Sequence, residues 1–247
     1  MHLSGCWPGC SATTPGGWDE RHTMQLSIII PVLNEAEGLP RLCEHLAPLQ
    51  QQGAEVILVD GGSQDGSDRC IEAHGLRLVR APRGRAVQMN AGAAAARGDV
   101  LLFLHADTRL PPQAWQRLQS VLPPQALAWG RFDVAIDGQA TTLRLVAWMM
   151  NARSRLTGIA TGDQALFMTR AAFDAVGGSP EQPLMEDIEI SRRLCHLARP
   201  ICLTERVRTS GRRWEQRGVW RTIFLMWRLR WAYWRGVPAS QLAKAYQ

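Results

Sequence analysis

The chain has 247 residues, 46% of them hydrophobic and 20% charged, a balance that excludes both a disordered segment and a multi-span membrane protein. The formal net charge of +6 is unevenly placed: residues 206–247 carry +9 and the rest of the chain −3. A slightly acidic body with a basic tail argues against general nucleic-acid binding, which spreads positive charge over a face. The six cysteines form no CxxC pair and have no Cys/His ligand spacing, so they read as reduced packing cysteines of a cytoplasmic protein.

Residues 1–23 are rich in Gly, Pro, Ser and Thr and lack hydrophobic periodicity, which predicts a disordered leader or a start at Met24. A β-branched run, Leu26–Ile30, ends at Pro31 and leads into a helix over 38–49. The buried run 55–59 ends in Asp60-Gly-Gly-Ser before a second helix. Strand 76–79 precedes an Ala-rich helix over 86–96, and the fully apolar strand 100–104 ends in His105-Ala106-Asp107. Apolar strands alternating with helices predict a parallel sheet covered on both faces, with ligands at the strand carboxyl ends. Beyond Leu122, strands at 128–136, 164–169 and 201–203 and helices at 141–155 and 186–197 predict a mixed-sheet second half.

The chain contains neither GxGxxG after the first strand nor GxxxxGK[ST], so dinucleotide-dehydrogenase and P-loop readings fall. What stands at the strand ends is carboxylate: Glu35, Asp60 and Asp107. Singly each reads as a cap or turn residue; three at adjacent strand ends of one sheet suggest a site.

Several segments occur in a telling order: Ser27-Ile-Ile-Ile-Pro-Val-Leu-Asn-Glu35, Val59-Asp-Gly-Gly-Ser63, His105-Ala-Asp107, Glu186-Asp187 and Ser210-Gly-Arg-Arg-Trp214. Together they resemble the family 2 glycosyltransferases. Gly84-Arg-Ala-Val-Gln-Met-Asn-Ala-Gly92 and Gly162-Asp-Gln164 narrow the resemblance to a bacterial subgroup labelled arsenosugar-biosynthesis-associated, related to carotenoid-acid glycosyltransferases. The resemblance implies an α/β GT-A fold, Rossmann-like, with a mostly parallel central sheet spanning 24–210 and a C-terminal amphipathic helical segment over 211–247 completing the domain. It also implies an inverting transferase that takes a UDP- or GDP-sugar and a divalent metal, Mg2+ or Mn2+.

Carried over by position, Asp60 holds the nucleotide base, with Glu35 and Pro31 shaping the pocket. Asp107 is the metal-gripping acid, and Asp187, beside Glu186, is the catalytic base. Gly84 and Arg85, His105 and Ala106 lie on the donor side. Asp163, Gln164, Arg212, Arg213 and Trp214 lie on the acceptor or diphosphate side. Four positions depart from the family pattern: His105 replaces the first Asp of DxD, Gly61 an Asp, Leu33 a stacking aromatic, and Ser210 the Gln of QxxRW.

The chemistry suits these residue types. A fixed carboxylate can take the acceptor proton, while a hard cation and forked guanidiniums stabilise a diphosphate leaving group. The segment from Glu186 to Arg193 also reads as an ordinary helix with acids in its first turn, as the dipole favours. Two rival functions are a sugar-1-phosphate nucleotidyltransferase and a non-catalytic membrane-surface or RNA-binding adaptor on a transferase fold. The former needs a Gly-rich, Arg-bearing loop after the first strand, where Pro31–Glu35 stands instead.

In the tail, Trp220, Trp227 and Trp234 recur every seven residues with Arg221, Arg228 and Arg235 in register. One reading packs the Trp stripe on the body. The other lays it on an anionic membrane, peripheral to the inner face, suiting a lipid-linked acceptor.

Overall fold

The computed structural model describes residues 24–123 and 126–246, so the leader expected over 1–23 lies outside the described residues. Four parallel strands open the fold: β1 (Leu26–Val32), β2 (Glu55–Asp60), β3 (Arg77–Arg80) and β4 (Val100–Phe103). Helices α1 (Leu39–Gln51), α2 (Ser67–Ala73) and α3 (Arg85–Ala95) make the crossovers that parallel neighbours require. The second half adds β5 (Thr108–Arg109), α4 (Ala114–Val121), β6 (Trp129–Asp137), α5 (Thr142–Thr157), a 3-10 turn at Gly162–Gln164 and β7 (Leu166–Thr169). It continues through α6 (Arg170–Ala175), α7 (Glu186–Leu197) and β8 (Ile201–Ser210). All eight strands form one sheet in the order β3-β2-β1-β4-β7-β6-β8-β5.

The switch to a mixed sheet occurs at β7, which runs antiparallel to both β4 and β6. The strand expected at 201–203 extends to Ser210, because it pairs in parallel with the whole of β6 across a register shift between Arg131 and Asp133. That extension carries the chain to the carboxyl end of the sheet.

Strand alternation divides the core. Ile28 and Ile30 of β1 face one apolar layer with Leu42 and Leu46 of α1, while Ile29 faces the other with Met89 of α3 and Ile190 of α7. α3 lies close to the sheet because Gly92 has no side chain; a Cβ there would collide with Ile29 and crowd Val59. Gln88, one turn earlier and buried, donates from Nε2 to the carbonyls of Val32 (2.9 Å) and Val59 (2.7 Å). It thereby fastens the ends of β1 and β2 together. The departure at Gly61 follows: a Cβ there would sit 3.0 Å from the Gln88 amide.

The second half is anchored by a buried charge cluster. Arg131, fully buried on β6, pairs with Asp133, which also receives Arg155 Nη2 at 2.8 Å. Two guanidiniums on one carboxylate satisfy a charge that would be costly alone.

The tail folds as α8 (Arg212–Arg217), α9 (Val219–Trp234) and α10 (Ala239–Tyr246). α9 buries Thr222, Ile223 and Leu229. The packed-stripe reading is corrected here: Trp220, Trp227 and Trp234 are 58%, 59% and 81% exposed, because the intervening residues face the body.

Candidate active site

The carboxyl edge of the sheet gathers polar groups from both halves. A small crevice there is lined by Pro31, Arg85, His105, Gly162, Glu186 and Asp187, with apolar walls from Met89, Phe103 and Ile190 among others. Its centre is the 3-10 turn. Gly162 N donates to Asp187 Oδ2 at 3.1 Å, and Ile188 N donates to Asp187 Oδ1 at 2.8 Å, so both carboxylate oxygens are held by backbone. Asp163 Oδ1 meets His105 Nδ1 at 3.1 Å. A Cβ at Gly162 would collide with the Arg85 guanidinium and with His105 Nε2, so only glycine lets these side chains close over the turn.

Gly84, with φ of +149°, precedes α3 and starts it at Arg85, whose Nε lies 3.4 Å from Glu186 Oε1. Burial pushes the Glu186 carboxyl above its ordinary pKa; Arg85 opposes that shift and Asp187 adds to it. Asp187 and Glu186 occupy the first turn of α7, which begins at Met185 in the left-handed region (φ +65°). Met185 is buried against Leu229 of α9 and Leu242 of α10. The ordinary-helix reading describes Glu189 rather than the pair before it: its carboxylate is taken by Arg192 and Arg193 at 3.0 Å each.

The remaining expected residues are placed apart from the crevice. Asp60 accepts from Gly62 N (3.0 Å) and Ser63 N (3.1 Å), a turn-capping arrangement at the end of β2. Glu35 N donates to the Ser67 hydroxyl at 2.9 Å, and the Glu35 carbonyl opens α1. Gln164 is fully buried, and its amide donates to Ser154 Oγ (3.1 Å) and Asn151 Oδ1 (3.3 Å), which supports the turn from behind. Trp214 packs on the core, Arg212 is exposed, and the Arg213 side chain lies outside what the structure describes. Ala106 is a half-buried spacer between His105 and Asp107.

Asp107 is exposed, and Thr108 and Thr209 hydroxyls contact its Oδ1 only at 3.4 and 3.5 Å. Among the described residues no three His, Cys, Asp or Glu side chains are arranged to hold a metal. A hard cation at Asp107 would need oxygens beyond that one carboxylate, such as substrate phosphates, as Mg2+-type sites commonly take.

Sequence reasoning missed Arg153 on α5. Its Nε and Nη2 are buried, with no hydrogen-bond partner among the described residues. Burial lowers its pKa, Asp187 counteracts that, and Arg131 reinforces it. No motif marks it; a half-turn of α5 facing Asp187 is visible only in three dimensions.

The family model described as Glycosyl transferase family 2 matches residues 27–173, more than half of the chain. The chain belongs to glycosyl transferase family 2. It is 36% identical over 104 residues to an undecaprenyl-phosphate 4-deoxy-4-formamido-L-arabinose transferase of Pseudomonas fluorescens, covering 38% of this chain and 30% of that one. The chain thus spans about a third of the length of this curated relative. Among solved structures, a mannosyltransferase from Pyrobaculum calidifontis in complex with GDP-Man and Mn2+ superposes with a TM-score of 0.58 at 20% identity, covering 85% of this chain and 61% of that one. Glucosyl-3-phosphoglycerate synthase from Mycobacterium tuberculosis, in complex with Mn2+, UDP and glucosyl-3-phosphoglycerate, superposes with a TM-score of 0.55 at 17% identity, covering 76% and 71%. At these identities the likeness concerns the fold, which is GT-A.

Proposed function

We propose that this family 2 chain is an inverting hexosyltransferase that moves a sugar from a UDP- or GDP-linked donor to an acceptor hydroxyl or carboxylate. The observation that carries the reading is the 3-10 turn, which brings Asp187, Glu186, His105 and Arg85 to one crevice at the carboxyl edge of the sheet. Asp187, oriented by two backbone N–H groups, takes the acceptor proton as its oxygen attacks the anomeric carbon. Arg85 faces the diphosphate, where charge grows as the bond to the sugar breaks. Asp60, Glu35 and Pro31 flank the nucleotide end. Asp107 would hold a divalent cation, Mg2+ or Mn2+, together with the donor phosphates, and that cation would supply charge neutralisation for the leaving group.

The arsenosugar-associated subgroup assignment rests on the Gly84–Gly92 and Gly162–Gln164 segments, of which Arg85, Met89 and Gly162 line the crevice. The acceptor is lipid-linked, in line with the undecaprenyl phosphate named for the Pseudomonas relative and with the basic tail contacting an anionic membrane. No described helix is long and apolar enough to cross a membrane, and the contact proposed is a peripheral one. The adaptor and nucleotidyltransferase readings are disfavoured by the family match and by the names of the relatives.

The test is nucleoside diphosphate release by the purified chain from a panel of UDP- and GDP-sugars with Mn2+ or Mg2+. Release that falls about 10²–10⁴-fold in Asp187→Asn, with donor binding retained, is expected. No release from any donor, together with donor binding indifferent to Asp107→Ala, rejects the reading.

A further inference from the structure

α9 presents an aromatic face that none of the described residues covers. Trp220, Phe224, Trp227, Trp231 and Trp234 are 58–81% exposed. Their spacing of four, three, four and three residues confines them to about 80° of helix circumference at 100° per residue. The row is about 21 Å long at 1.5 Å per residue. Leu229 and Thr222 occupy the opposite arc, Ile223 lies at the border about 60° from the centre of the row, and the three seat the helix on the body.

One border of this face is cationic. Arg221, Arg228 and Arg235 follow one residue after the seven-residue Trp repeat, so they lie about 60–100° around the helix from the aromatic row. The Arg235 guanidinium stacks on Trp231, 4.8 Å from the ring centroid. Arg221, Arg228 and Arg217 line a cleft of about 730 Å3 between α9 and α10, with Phe224, Leu225 and Tyr246 as its apolar part. Arg217 is engaged with Tyr246, whereas no hydrogen bond or ion pair engages the guanidinium of Arg221 or Arg228 among the described residues. Glu215 is the one acid from residue 206 to the end, and it accepts from Gln139 N in the body.

A packed protein interface would match such a face with apolar side chains and place acids against the arginines. A bilayer matches it differently, with interfacial depth for tryptophan and lipid phosphate for arginine. We infer that the Trp220–Trp234 face of α9 is a docking surface for an anionic phospholipid bilayer. The helix lies flat in the interface, and the Arg217/Arg221/Arg228 cleft takes lipid headgroup phosphates. This deepens the membrane contact in the proposed function by naming its residues and its geometry.

The test uses the full chain with vesicles of phosphatidylcholine alone and of phosphatidylcholine with phosphatidylglycerol. Co-sedimentation with the anionic vesicles and a blue shift of tryptophan fluorescence are expected. R221Q/R228Q/R235Q should weaken partition about 10²-fold, at roughly fivefold per arginine at an anionic surface. W220S/W227S/W234S changes only exposed side chains, and should weaken partition about 10²-fold or more and reduce the blue shift. Three outcomes overturn the inference: no sedimentation with either vesicle, equal sedimentation with both, or loss with the arginine variant alone. So does a light-scattering dimer that the tryptophan variant abolishes, because a second copy would then occupy the face. Nucleoside diphosphate release measured without vesicles keeps the two readings separate. Catalysis without vesicle binding removes only the docking surface, and vesicle binding without catalysis removes only the transferase reading.

Discussion

Replacing Gly162 by Ala adds one carbon where the Arg85 guanidinium and His105 Nε2 already stand. The turn cannot withdraw to make room. Its amide is bonded to Asp187 Oδ2, and its carbonyl accepts from Ala165 N at 3.2 Å. The side chains must therefore move, taking Arg85 from Glu186 and His105 from Asp163 by about an ångström. A misplacement of that size costs about 10²-fold in rate, so kcat/KM for nucleoside diphosphate release should fall about 10²-fold, or about 2.7 kcal/mol. Overpacking should cost about 1–3 kcal/mol of stability, lowering Tm by about 2–4 °C for each kcal/mol. Gly177→Ala serves as the control: φ is +75° there and no atom lies within 4 Å of the added carbon, so strain lowers Tm without touching the site. A folded Gly162→Ala protein with wild-type kcat/KM would refute the crowding argument.

Other consequences concern stability. The raised pKa of Glu186 means that the native chain keeps a proton that the unfolded chain loses above about pH 4.3, so this residue weakens the fold as pH rises through that range. Glu186→Gln should melt above the wild type at neutral pH, with the gap closing toward pH 4; scanning calorimetry that finds a constant gap contradicts this. Asp133→Asn leaves the buried Arg131 without its counter-charge and should cost about 3–5 kcal/mol in urea unfolding, much of it recovered by replacing both residues with apolar ones. Gln88→Leu loses two hydrogen bonds at about 1 kcal/mol each, a Tm drop of about 4–8 °C. Gly61→Ala should cost less in that background than alone; additive effects would show that the two residues do not compete.

The first half of the fold is legible in sequence because three of its four strands, β1, β2 and β4, are buried on both faces. Runs such as Leu26–Ile30 have few other destinations, and Asp60 marks where β2 ends; β1, expected to end at Pro31, pairs through it to Val32, and β4 stops at Phe103. β5 is two residues long and leaves no periodic trace. β8 alternates Thr204, Arg206 and Arg208 outward with Leu203, Val207 and Thr209 inward, a pattern that polar composition obscures. Within the site, Asp187 and Arg85 stand in recognisable motifs, whereas Arg153 and the backbone donor at Gly162 acquire meaning only when α5, the 3-10 turn and α7 meet. The Trp repeat locates one face of α9 but not its direction. Seven-residue spacing is the same whether the stripe faces the body or the solvent; Thr222, Ile223 and Leu229 decide it by packing.

Met185 gives the tail a second significance. Helix α7 begins on this residue without a side-chain cap, and the residue is wedged between α9 and α10 rather than against the sheet. Tyr233 reaches from α9 to Glu189, one turn further along, at 3.4 Å. The tail is thus a buttress under the proposed base. A force applied to the outer surface of α9 arrives, through Leu229 and Met185, at the first turn of α7. Trimming the chain after Gly211 would remove no residue of the crevice, yet it would leave Asp187 standing on an unsupported step.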